Sequence, residues 1–161
     1  MEKSLGNYKH TKILIRQVGD CINATIDDSM GVTTQSVYSL YPKDKTEQKH
    51  LSALLGILNS KLFDFFYRLV SGDKQMFKRI ILENIKALPY PIIKSSQISQ
   101  IESLVNEILS LKSSNTTTDT SSLEQEIDHI VYHLYGLTYD EVLIIDPTPP
   151  FTQEEYEQDN L

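Results

Sequence analysis

Between Glu47 and Leu69 the apolar residues Leu51, Leu54, Leu55, Leu58, Leu62, Phe65, Phe66 and Leu69 recur every three or four positions. That spacing predicts one long amphipathic helix with a stripe turned toward a core. A lone helix cannot bury its own stripe, so the rest of the chain has to supply a sheet face or further helices. Pro42 through Lys45 breaks the pattern upstream, and Thr46 is the expected N-cap. At about 100° per residue, His50, Lys61 and Arg68 share one flank of the predicted helix. Such a flank suits phosphate, and equally an ordinary solvated side with Asp64 interleaved.

The covering layer is legible on both sides. Upstream, Lys12–Val18 alternates Ile13 and Ile15 with polar neighbours, Ile22–Ile26 is a matching partner, and Val32–Tyr41 is rich in β-branched and aromatic residues. Turn formers at 27–31 separate the last two, so a small antiparallel sheet is expected. Downstream, Ser71-Gly72-Asp73 ends the helix, Leu82–Ile85 follows, and Leu88-Pro89-Tyr90-Pro91 closes a first unit on an extended path. Ser96–Lys112 and Leu123–Tyr135 then carry helical apolar spacing around a polar loop at 113–122, which predicts a hairpin stopped by Gly136. Thr138 and Glu141 form a capping-box pattern for a short last helix through Ile145. The fold class expected is α+β: residues 1–94 a β-rich unit with the long helix 47–69, residues 95–146 helical, and the acidic residues 147–161 a frayed tail.

Charge divides along the same line. Residues 1–94 hold 14 Lys and Arg against 9 Asp and Glu, whereas residues 95–161 hold 1 against 13, so balances of +5 and −12 lie behind the net −7. A basic part joined to an acidic one fits a nucleic-acid surface beside a non-binding segment. It fits a dipolar protein without such a partner just as well. The densest basic stretch is Lys74–Arg79, where Lys74, Lys78 and Arg79 can neutralise phosphates and Gln75 or Arg79 can reach base edges. Lys12, Arg16, Lys43, Lys45, Lys61 and Arg68 complete the candidate DNA contacts.

Catalytic signals are nearly absent. The chain has no Gly-rich strand-to-helix loop, no Walker loop and no Cys/His set with zinc spacing. His129 and His133 stand at i and i+4 on a predicted helix, away from its apolar face; with Asp128 as helper they lack a convincing third ligand, so no metal is assigned. Asp27-Asp28 and Glu154-Glu155 lie in turn and tail contexts that suit solvation better than acid–base work. The single Cys21 reads as a small buried hydrophobe in a strand and suits a reducing cytoplasm. No stretch reaches the ~20 apolar residues of a membrane span.

Taken in order, KILIRQVGDCINATID, SVYSLYP, the helix LLGILNSKLFDFFYR, the basic FKRI and the closing LPYP resemble the TaqI-like C-terminal specificity domain. That family is the target-recognition part of adenine-specific DNA methyltransferases and of restriction enzymes that fuse methylation with cleavage. IDHIVYHLYGLTYDEVLIID resembles the helical signature that often ends such polypeptides, which extends the resemblance to roughly residues 12–146. The resemblance implies sequence-specific binding of double-stranded DNA by a non-catalytic module from the C-terminal end of a larger cytoplasmic protein. S-adenosylmethionine, and magnesium if the parent cuts DNA, would then be bound elsewhere in that parent. The methyltransferase domain is expected in cis or in a partner subunit. The alternative is a specificity or interaction module that docks a separate methylase, and an independent hydrolase is a distant third.

Overall fold

A computed structural model describes residues 11–19, 21–29, 31, 33, 35–71, 79–91 and 95–159. Its elements run β1 (Lys12–Arg16), β2 (Ala24–Asp27), β3 (Val37–Leu40), α1 (Lys45–Lys49), α2 (Leu51–Asn59), α3 (Lys61–Ser71), α4 (Leu82–Lys86), α5 (Ser95–Ser114), α6 (Ser121–Leu134), α7 (Tyr139–Ile145) and α8 (Gln153–Gln158). The fold is α+β. A three-stranded antiparallel sheet in the order β2-β1-β3 has Ile13 paired with Ile26 and Leu40, and Ile15 with Ala24 and Tyr38. Ile13 and Ile15 are fully buried as predicted for β1, but the alternation with solvated polar neighbours is incomplete, since Lys12 is fully buried too and Leu14 is half-buried.

The predicted single helix over 47–69 is instead three. Asp44 rather than Thr46 begins the first, its carboxylate accepting a hydrogen bond from the Glu47 amide at 2.9 Å. The second break falls at Ser60, whose ψ of 153° is extended. Three tertiary bonds hold the kink. The Asn59 side chain accepts from the Ala24 amide at 2.9 Å and donates to the Ala24 carbonyl at 3.0 Å, while the Lys61 amide, freed at the new helix start, donates to Asp128 at 2.8 Å. The kink also turns the buried face. Leu51, Leu55, Leu58 and Leu62 are buried as the stripe requires, but beyond Ser60 the core takes Phe63 and Tyr67, and Leu69 is 66% exposed.

The helices α5 and α6 pack as the predicted hairpin, with Ile101, Val105, Ile127, Ile130 and Val131 buried. Helix α2 lies against α5 at Gly56, where a Cβ would stand 2.6 Å from Ile101 Cγ2. Gly136 ends α6 at φ 63°, and the Leu137 amide bonds back to the Tyr132 carbonyl at 3.1 Å, a Schellman closure. The Thr138/Glu141 capping box is present.

The final segment is a correction. A second capping box, Thr152 with Glu155, starts α8, and Tyr156 is buried with its hydroxyl donating to the Leu137 carbonyl at 2.8 Å. The acidic end is anchored because one aromatic side chain outweighs the solvation of its charged neighbours. Cys21 is half-buried in a bend between β1 and β2 rather than in a strand. Among the described residues no helix is long and apolar enough to cross a membrane.

Candidate nucleic-acid interface

The C-terminal end of β1 is where basic side chains and a fixed backbone coincide. Val18 pairs antiparallel with Arg79, and the Ile80 amide donates to the Gln17 carbonyl at 2.8 Å. Two tyrosines clamp the same short segment: Tyr38 donates its hydroxyl to the Ile80 carbonyl at 3.1 Å, and Tyr67 accepts from the Ile81 amide at 2.9 Å. Ile80 itself is buried. These bonds present Arg79 at the surface with its guanidinium donating to Gln17 Oε1 at 3.1 Å. Arg16, also exposed, ends β1 two residues before Val18, and its guanidinium lies over Gly19, where a Cβ would come within 2.6 Å of Nη2. Sequence reasoning found the two arginines but missed Gln17, Tyr38 and Tyr67, which position them; a tyrosine's hydrogen-bond partner 14 or 42 residues away leaves no local signal.

The other candidates are dispersed. Lys43 and Lys45 are exposed at the opposite end of the sheet, because β3 runs antiparallel to β1 and leaves it beyond Ile13. Lys12, expected at the surface, is fully buried. Its ammonium sits 2.6 Å from Asp27 and donates to the Ser29 carbonyl at 2.9 Å, the pairing a buried charge requires. Hydrogen bonds from Lys12 and then from Ser29 hold the Asp27 carboxyl at about 2. The common flank of His50, Lys61 and Arg68 is divided: the extended Ser60 separates His50 from the other two, while Lys61 and Arg68 stay two turns apart on α3. Each instead meets an acid: His50 meets Glu102 at 3.0 Å, Lys61 meets Asp146 at 2.6 Å and Arg68 meets Asp64 at 2.5 Å. Lys74, Gln75 and Lys78 lie outside the described residues.

A groove of about 680 Å³ runs along β2 against α2, α5 and α6. Its cations Lys61 and Lys112 are matched by Glu124 and Asp128, so its charge is balanced. Burial raises the Asp128 carboxyl to about 6 against the opposing hydrogen bond from the Lys61 amide.

The two histidines of α6 are half-buried and not on an open face, with Nε2 atoms 3.0 Å apart. Asp128 is no helper to them, being bonded to the Lys61 amide on another side of the helix. A different carboxylate, Asp159, lies 3.4 Å from His129 Nε2.

A comparison with curated proteins finds no match. Residues 2–90 match the TaqI-like C-terminal specificity domain, a span that takes in the sheet, α1–α4, the Arg16–Arg79 end and the closure as far as Tyr90, and stops short of α5–α7, which the sequence resemblance also took in. With more than half of its length so matched, this chain belongs to the family of TaqI-like C-terminal specificity domains.

Proposed function

We propose that the chain is the target-recognition part of an adenine-specific DNA methyltransferase of a restriction–modification system, and that it grips double-stranded DNA with the sheet end that carries Arg16 and Arg79. The observation that carries this reading is the Val18–Arg79 pairing. It fixes two exposed arginines at one end of the sheet, one of them directly following the basic Lys74–Lys78 stretch, within the span that matches a specificity domain. Arginine forks on a rigid backbone suit both phosphate clamping and paired hydrogen bonds to guanine. The methyl donor, the catalytic residues and any nuclease with its magnesium belong in this reading to the parent's other domains, in cis or in a partner subunit. There the bound duplex would be held so that the target adenine can be flipped out.

The test is duplex binding by fluorescence anisotropy across a salt series. Without its methylase the chain is expected near the non-specific range, about 10⁻⁴ to 10⁻⁶ M at physiological salt. Replacing Lys74, Lys78 and Arg79 together by Ala removes up to about three phosphate contacts and lowers the salt slope by roughly 0.9 for each. Arg16→Ala adds a further decrement. Neutralising Glu102, Glu107 and Glu126 leaves binding undiminished. An unchanged slope in the basic variants removes this end from the interface. No binding at low salt favours the second reading, in which the acidic helical segment 97–146 docks a separate methylase. Incubated with DNA, methyl donor and magnesium, the chain alone is expected to leave DNA unmodified and uncut.

A further inference from the structure

The C-terminal helices bring together three side chains that DNA recognition does not use. His129 and His133 sit one turn apart on α6, so their rings leave the helix on the same side. Asp159, which follows α8, completes the group, and the three ligand atoms all lie within 4.8 Å of one another. The rings are held in place from outside. Phe151 stacks on His129 at 4.5 Å and 23°, Tyr156 stacks on His133 at 4.1 Å and 24°, and Phe151 and Tyr156 stack on each other at 5.4 Å. Tyr156 is 3% exposed, so this wall belongs to the core.

We propose that His129, His133 and Asp159 form a binding site for one divalent transition-metal ion of the zinc class, which fastens α8 to α6.

Convergence is the first argument. His129 Nε2 has a single in-plane position for a proton or a lone pair, yet it faces both His133 Nε2 at 3.0 Å and Asp159 Oδ2 at 3.4 Å. One hydrogen bond satisfies one of these neighbours; a cation among them satisfies all three. Distance is the second. Ligand bonds of about 2.0–2.1 Å in a tetrahedral site place neighbouring ligand atoms roughly 3.3 Å apart, so the observed separations need adjustments of a few tenths of an ångström and a modest swing of Asp159 toward His133. The donor set is the third argument. Two imidazoles with one carboxylate suit zinc, cobalt, nickel or copper, whereas magnesium and calcium take oxygen ligands. Asp159 is 51% exposed, which leaves the fourth position to water. The stacked rings lower the cost of ordering two ligands before the ion arrives.

The test is isothermal titration of the whole, chelator-stripped chain with zinc chloride, alongside thermal melting with and without the metal. One zinc per chain and a raised melting temperature are expected. Removing a direct ligand costs at least the 10–100-fold that loss of an outer-shell partner typically costs, so affinity falls by about 10-fold or more in Asp159→Asn and by about 100-fold or more in His133→Gln. Asp159→Asn is at the surface and leaves both stacked rings in place, so it reports on ligation even if His133→Gln unfolds. Circular dichroism of each variant identifies that case. Absence of zinc binding by the wild-type chain overturns the proposal. So does zinc binding of equal strength in Asp159→Asn and a folded His133→Gln, which would put the ion elsewhere. Stabilisation by magnesium chloride equal to that by zinc would overturn the assigned class of ion.

Discussion

Replacing Gly56 by Ala probes the contact that joins the helical segment to the sheet-bearing part. In a helix interior the change by itself should stabilise by about 1 kcal/mol, through lost backbone freedom in the unfolded chain. Here the added methyl would meet Ile101 Cγ2 at 2.6 Å and Val105 Cγ2 at 3.0 Å, with Ile127 Cγ2 at 3.5 Å behind them. Ordinary carbon contacts begin at about 3.5 Å, so α2 and α5 must separate by roughly 1 Å or a side chain must leave its rotamer. Ile101 and Val105 are buried and β-branched in a helix, where one χ1 well dominates, so neither can swing aside. Overpacking of this kind costs about 1–3 kcal/mol, and two blocked methyls place it in the upper half. The net expectation is a loss of about 1–2 kcal/mol, or roughly 3–6 °C in melting temperature for a chain of this size. Urea unfolding of a double-mutant cycle with Ile101→Ala is the assay. That partner change costs about 2–5 kcal/mol alone but removes the nearer of the two obstructing methyls, leaving Val105 Cγ2 at 3.0 Å. In its background Gly56→Ala should be close to neutral, a coupling of roughly 1–2 kcal/mol. If Gly56→Ala stabilises the otherwise unaltered chain, the helices are not in close contact at this point and the reasoning fails.

Leu58→Ala should cost about 2–5 kcal/mol, whereas Leu69→Ala, on the same sequence stripe but 66% exposed, should stay within about 0.5; equal losses by chemical denaturation would restore the unbroken helix. Asp27 is held at about 2, below its ordinary 3.8, so its contribution to stability is complete above about pH 4 and is lost as pH falls toward 2. Asp27→Asn should therefore be less stable than the parent at pH 7, with the gap closing in urea midpoints taken between pH 4 and 2; a constant gap would show that the Lys12 pair does not set this carboxyl. Thr152→Ala removes the acceptor for the Glu155 amide and should weaken α8 by about 0.5–2 kcal/mol, read as faster hydrogen exchange at Glu155 and Tyr156; equally fast exchange in both proteins would return the tail to a frayed state.

Some of this protein is written in short stretches of its sequence. The alternation of Ile13 and Ile15, the spacing of Leu51, Leu55, Leu58 and Leu62, the Thr138/Glu141 box and the Gly136 stop all depend on residues within a turn or two of each other, so they could be read without a fold. The same holds for Arg16 and Arg79 as exposed cations, because an arginine is almost never fully buried unless its charge is paired, even beside apolar neighbours. What the sequence could not carry was decided by partners far along the chain. Ser60 ends a helix that local periodicity continues, because Ala24 and Asp128 bind the groups on either side of it. Lys12 is buried because Asp27, its cross-strand neighbour, compensates its charge. Arg79 is brought to the end of β1 that carries Arg16 through the Val18 bridge and two tyrosines, and Asp159 meets His129 of α6 because Tyr156 packs α8 into the core. Local rules weigh each residue against its neighbours in sequence, while burial and hydrogen-bond satisfaction weigh it against its neighbours in space, and where the two disagree the second sets the structure.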